Sequence, residues 1–167
     1  MKMGWVIGAA ILASVAGAIP AAVMAAGTVP APTTPTAFSA GFSTVPNSTE
    51  LVSFREADGN ALVTVTDEVQ FTGAFAGFSA EQISIVVHPD GSMEFHGSDL
   101  CNCTVAGSSG TITMLFSGNG APDGSTIGYI SMGHGTGGLA NLHGTATFLS
   151  SDGGTGGTWS GVYHFAP

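Results

Sequence analysis

Glu81 and Asp99 are two carboxylates at mirror positions about a turn, and a pair of carboxylates held close on an apolar face is equipment for general acid/base chemistry. The turn is His88-Pro89-Asp90-Gly91-Ser92, which suits a type I turn with Pro at the second position and Gly in the left-handed position of a following bulge. That three-residue loop makes His88 and Ser92 partners. Val87 then faces Met93, Ile85 faces Phe95, Ile83 faces Gly97 and Glu81 faces Asp99, so the apolar residues gather on one side. A two-residue Asp90-Gly91 turn would pair Val87 with Glu94 and scatter them over both faces. Cross-strand partners lie roughly 5 Å apart at Cβ, and two carboxylates buried at that separation cannot both ionise near neutral pH, so one holds a proton. Three readings of the pair stay open: solvated at a rim if Gly97 kinks the strand, a buried structural hydrogen-bond pair, or a ligand-contacting acid/base pair.

The other chemistry-bearing residues say less. Cys101 and Cys103 form a Cys-x-Cys pair, readable as a local disulfide if the strand bends, or as two small buried apolar residues. Two soft ligands do not close a zinc site, and His88, His96, His134, His143 and His164 lack metal spacing, so no metal is expected. His88 at the turn and His96 opposite Ser84 read as surface residues. His134 and His143 bracket a glycine-rich run that reads as a flexible turn and wide bend. That run is no phosphate loop, for it lacks a following helix and a Lys, and no Gly-x-Ser-x-Gly elbow anchors a hydrolase triad.

Short segments rich in Val, Ile, Thr and Phe must position these groups. Strands are expected near Leu51–Glu56, Ala61–Phe71, Phe78–His88, Ser92–Val105, Thr111–Gly118, Thr126–Met132, Gly144–Leu149 and Thr158–Phe165, divided by turns at spacings of roughly ten residues. Val63, Val65, Val69 and Phe71 share one face, as do Ile112, Met114 and Phe116, and as do Trp159, Tyr163 and Phe165. The fold class is all-β, a small closed antiparallel β-barrel of about eight strands, with a β-sandwich as the runner-up. The domain is assigned to 49–167, and the Pro- and Thr-rich stretch 27–48 reads as an extended spacer.

Residues 1–26 read as a secretion signal: Lys2, an apolar run from Val6 to Ile19, Pro20, and small residues through Ala25. An uncleaved anchor is the alternative. Cleavage would leave Arg55 as the one basic residue against 11 acidic ones, a net charge of −10 on about 140 residues, enough for one core. So acidic a chain is a poor partner for nucleic acid, and no membrane association is expected once the signal is gone.

Ser79-Ala80-Glu81 with Pro89-Asp90-Gly91, then Ala106–Thr111, the run Gly135-Thr136-Gly137-Gly138-Leu139-Ala140-Asn141-Leu142-His143-Gly144 and the closing Gly161–Phe165 resemble an uncharacterised bacterial domain-of-unknown-function family with an allene-oxide-cyclase-like β-barrel. The resemblance covers about Phe71 to Phe165 and implies acids where Glu81 and Asp99 stand. It departs at Cys101 and Cys103, where that family more often has an aromatic residue and Gly. It also implies an apolar barrel interior that steers a substrate with few polar groups.

Three functions fit. The first is a secreted barrel that binds a small apolar ligand, lined by Ile83, Ile85, Phe95, Cys101, Cys103, Trp159 and Tyr163, without a cofactor. The last strand's aromatic face could equally be core filling. The second is a cyclase or isomerase using Glu81 and Asp99. The third is an extracellular scaffold or surface-assembly protein, its oligomeric state open.

Overall fold

Alternation of inward and outward residues produces nine antiparallel strands over residues 33–167, the part of the chain that the computed structural model describes. They are β1 (Thr36–Thr44), β2 (Glu50–Ala57), β3 (Asn60–Gly73), β4 (Phe75–Val87), β5 (Met93–Val105), β6 (Ser108–Gly120), β7 (Thr126–Gly133), β8 (Leu142–Ser150) and β9 (Gly156–Phe165), with one 3-10 turn at Gly137–Leu139. β3 to β9 pair with their sequence neighbours, β9 pairs with β1, and β1 pairs back onto β3. That last pairing closes an eight-stranded barrel and excludes the sandwich.

The eight barrel strands are not the eight expected. Leu51–Glu56 lies in β2, which is exposed along its whole length and pairs only with the Asn60–Thr66 half of β3, outside the barrel. The closing strand is β1, inside the stretch assigned to a spacer. Pro35 and Pro46 bracket it, but Phe38 and Ala40 point inward and are buried, and its register to β3 runs from Ala40↔Gly73 to Thr44↔Val69. The domain therefore begins before residue 49. The signal segment 1–26 and the start of the spacer lie outside the described residues. Among the described residues no helix is long and apolar enough to cross a membrane.

The two ends of the barrel differ. At the end where β4 starts and β5 finishes, Trp159 is 1 % exposed and sits at the centre of an aromatic cluster. Its ring centroid lies 4.7 Å from Phe75, 4.8 Å from Phe38 and 5.4 Å from Phe71, while Tyr163 packs edge-on to Phe75 at 5.7 Å. The glycine-rich run, expected to be flexible, plugs this end. Thr136 N donates to Thr111 O at 2.8 Å, its hydroxyl meets that of Thr111 at 2.7 Å, and Leu139 and Leu142 are fully buried beyond it. A Cβ at Gly135 would overlap the Leu139 carbonyl, so glycine is required by the close approach of the backbone.

The opposite end carries the His88–Ser92 turn. His88 N donates to Ser92 O at 2.8 Å, Gly91 N donates to His88 O at 2.9 Å, and Gly91 holds a φ of 85°. Asp90 accepts from the Ser92 amide and hydroxyl, the side-chain turn that favours Asp there. The register follows as the turn requires: Val87↔Met93, Ile85↔Phe95, Ile83↔Gly97 and Glu81↔Asp99. Gly97 does not break it. A Cβ there would strike the Gln82 carbonyl and the Phe116 ring, so the glycine admits that ring to the interior without shifting the strand.

Candidate functional site

The hollow end of the barrel holds a cavity of about 200 Å3 that opens to solvent. Ile83 and Ile85 of β4 and Phe95 of β5 line it, together with Phe42, Phe71, Phe116 and Phe148 from four other strands. Its rim is Thr44, Thr49 and Gly153–Thr155, where β1 gives way to β2 and the β8–β9 turn folds over. That turn is anchored: Thr44 N donates to Thr155 O at 2.7 Å, Gly153 N to Gly124 O at 2.8 Å, and Gly156 N to Asp152 Oδ1 at 3.1 Å.

Glu81 and Asp99 both line the cavity, and a third carboxylate joins them. Asp67 of β3 is the direct partner of Glu81, so Asp67, Glu81 and Asp99 form one row across three adjacent strands. Asp99 is 5 % exposed, and Ser79, also buried, donates its hydroxyl to Asp99 Oδ1 at 2.6 Å. Asp67 Oδ1 is buried, and the one donor available to Asp67 is the neighbouring carboxyl of Glu81. On β7 the inward-facing Thr126, 5 % exposed, has an unpartnered Oγ1 and also lines the cavity.

Burial dominates the ionisation of the row. Desolvation, reinforced by the charges of Asp99 and Asp67 and by a hydrogen bond with Asp67, pushes Glu81 up to about 9. Desolvation also raises Asp99, to about 7; the Ser79 hydroxyl opposes the shift and the Asp67 charge adds to it. Asp67 is raised by desolvation, opposed by its hydrogen bond with Glu81. Two carboxyl groups can hydrogen-bond only if one carries the proton, and a bond that raises Glu81 while lowering Asp67 assigns it to Glu81.

Four of the expected lining residues lie elsewhere. Cys101, Cys103, Trp159 and Tyr163 face inward but belong to the packed end, where they are buried in the core with the aromatic cluster and Leu139 and do not line the cavity. Cys101 and Cys103 are joined as a disulfide across a Cα separation of 5.4 Å, shorter than the roughly 6.6 Å that two residues of an extended strand span, so the strand is contracted there. Gly77 faces Cys103, and a Cβ on it would overlap the Asn102 carbonyl. His96 is exposed opposite Ser84, and His143 stacks on His164 at 5.8 Å across β8 and β9. His88 is less of a surface residue than its turn position suggests, since its Nδ1 lies 2.9 Å from Asn60 Oδ1. No group of metal-ligating side chains occurs among the described residues.

Sequence reasoning passed over Asp67, Ser79 and Thr126. Asp67 shares the parity of Val63, Val65, Val69 and Phe71, and Ser79 that of Glu81, Ile83 and Ile85, so period two contained both. The signal was a polar residue on an otherwise apolar face.

The sequence from residue 40 to 159 matches the model of a protein family of unknown function, DUF3224, a span that takes in the cavity and the carboxyl row. The chain belongs to the DUF3224 family. A crystal structure of a DUF3224 protein of unknown function from Shewanella oneidensis MR-1 superposes with a TM-score of 0.62 at 18 % identity, covering 80 % of this chain and 99 % of that one. At that identity the likeness bears on the fold alone, and it makes the barrel the DUF3224 fold in both. No curated protein matches the sequence.

Proposed function

We propose that this DUF3224 barrel is an exported protein that takes a small, mainly apolar ligand into its hollow end. One observation carries the reading: one end of the barrel is packed with aromatic and aliphatic side chains, while the other keeps a cavity of about 200 Å3 with apolar walls and one row of polar groups. Pockets that bind small molecules have that character, predominantly apolar with a few convergent polar groups. The volume is modest, somewhat above the ~150 Å3 of an apolar cavity that holds benzene, so the ligand has about the size of a single ring or a short alkyl chain. Export is supported by the Lys2-led apolar leader and by the Cys101–Cys103 disulfide, a bond that persists in oxidising compartments.

Titration with toluene, followed by NMR shifts of the Phe95, Phe116 and Phe148 rings, tests the reading. Saturable shifts are expected, and Ile83→Phe, which extends a wall into the cavity, weakens uptake about tenfold or more. Absence of saturable uptake in the native protein overturns it.

A second reading has its own support. A Glu81 that keeps its proton beside apolar walls is a competent general acid, as a cyclase or isomerase of the allene-oxide-cyclase type would need. Glu81→Gln separates the two: it abolishes turnover of a bound substrate but leaves simple uptake of an apolar ligand in place.

A further inference from the structure

We propose that the ligand of this cavity is a small primary ammonium on an apolar body, its –NH3+ seated on the Asp67–Glu81–Asp99 row and its body against the phenylalanine walls. The proposal rests on the ligand-binding reading above and specifies the chemistry of the ligand.

The cavity is rich in acceptors and poor in donors. Three carboxyl groups line it, and no Lys, Arg or His does. Arg55, the one Lys or Arg among the described residues, stands on the exposed β2 outside the barrel. Thr126 Oγ1 is buried without a hydrogen-bond partner, and the one donor available to Asp67 is the neighbouring carboxyl of Glu81. Thr126 lies on β7, on a different wall from the acidic row on β3 to β5, and its hydroxyl, which can donate or accept, gives the ligand a second polar contact away from the row. An ammonium group brings three donors and the charge that the row lacks. A neutral ligand with an oxygen acceptor would take up the Glu81 proton and so leave Asp67 without its one donor.

The walls suit the same ligand. Phe42, Phe71, Phe95, Phe116 and Phe148 present rings to the cavity, and an aromatic face attracts a cation within about 6 Å while also burying the carbon skeleton attached to it. A bare divalent ion would use none of these rings, and the described residues hold no metal-ligating group. A quaternary ammonium would bring charge but no N–H for the carboxyl oxygens of the row.

Binding should displace protons. The titratable groups facing Glu81 are Asp67 from β3 and Asp99 from β5; the lining residues of β6, β7, β8 and β1 are Phe116, Thr126 and Ile130, Phe148, and Phe42 and Thr44, none of which titrates near neutrality. A cation entering the row therefore favours the ionised carboxyls and releases the protons they hold.

Calorimetric titration of the full chain with benzylammonium chloride, benzyl alcohol and toluene, at about pH 6 and about pH 8, tests the proposal. Benzylammonium is expected to bind about tenfold or more tighter than benzyl alcohol at the higher pH, and to tighten with pH by up to about tenfold per unit for each proton released. In the Asp67→Asn, Glu81→Gln, Asp99→Asn triple variant the ammonium preference disappears while toluene uptake reports an intact cavity. Should that variant fail to fold, the pH dependence in the native protein decides alone. Equal binding of benzylammonium and benzyl alcohol, or an affinity that does not rise with pH, overturns the proposal, as does displacement of benzylammonium by calcium at equal concentration. Toluene binding without an ammonium preference leaves the ligand reading standing and removes only this inference; binding of none of the three removes both.

Discussion

Glu81 and Asp99 are direct cross-strand partners on the inner face of the barrel, and only one of them has a hydroxyl to steady its charge: Ser79 donates to Asp99 at 2.6 Å. Desolvation raises both groups, and that asymmetry, with the charges of Asp99 and Asp67 acting on Glu81, puts Asp99 ahead of Glu81 in the order of ionisation. Asp99→Asn keeps an oxygen acceptor for Ser79 and removes a like charge, so it should be neutral or stabilising in urea melts. Asp99→Leu also removes the charge but strands the buried Ser79 hydroxyl, at a cost of about 1–3 kcal/mol. Ser79→Ala should push the Asp99 ionisation higher still. Equal destabilisation by Asn and Leu would contradict the bond.

Stability should fall as the solution becomes alkaline. Glu81 and Asp99 ionise at about 9 and about 7 when folded, against 4.5 and 3.8 as ordinary carboxylates, so between those limits the folded state binds more protons than the unfolded one. Unfolding then releases protons, and its free energy decreases with rising pH: the melting temperature should drop from about pH 5 to about pH 9. Below the ordinary carboxylate range the effect is absent. Asp90, Asp123 and Asp152 are shifted the other way, by hydrogen bonds from Ser92, Ser125 and Ser150, and act only at more acid pH. Glu81→Gln should flatten the upper part of the slope and Asp99→Asn the lower. A melting temperature that stays level or rises over this range would exclude a protonated row.

The two ends should respond differently to core truncation. Ile112 is fully buried in the packed end, and Ile112→Ala should cost about 2–5 kcal/mol, because the void it leaves has no room to collapse. Ile85 already borders the cavity and is only partly buried, so Ile85→Ala should fall at or below the lower end of that range. Chemical denaturation of the two variants checks the order. An Ile85→Ala loss exceeding that of Ile112→Ala would mean that the cavity end is the tighter one.

How much of this was legible varied with how strongly each feature was over-determined. The β4–β5 register could be read because the Pro89-Asp90-Gly91 turn and the alternation from Ile83 to Val87 demand the same pairing. β1 was concealed by composition, since Pro35, Pro46 and the surrounding Thr, Ala and Ser outweigh a three-residue inward set of Phe38, Ala40 and Phe42. Asp67 was hidden by the habit of reading a strand's inner face from its apolar members alone. The division into a packed and a hollow end depends on which rings meet across the barrel, as Trp159 meets Phe38, Phe71 and Phe75, and no local pattern encodes those meetings.

Asp67, Glu81 and Asp99 line an apolar cavity as one row, Asp99 fully inside the barrel, and side-chain carboxyl titration by carbon-detected NMR is the sharpest test of that arrangement. Glu81 should titrate last, near 9, and Asp99 before it, near 7, while Asp67 sits above its ordinary value and shifts again as Glu81 loses its proton. Independent titration of all three near about 4 would contradict the account, because carboxyls that ionise as they do in water are not enclosed by the barrel.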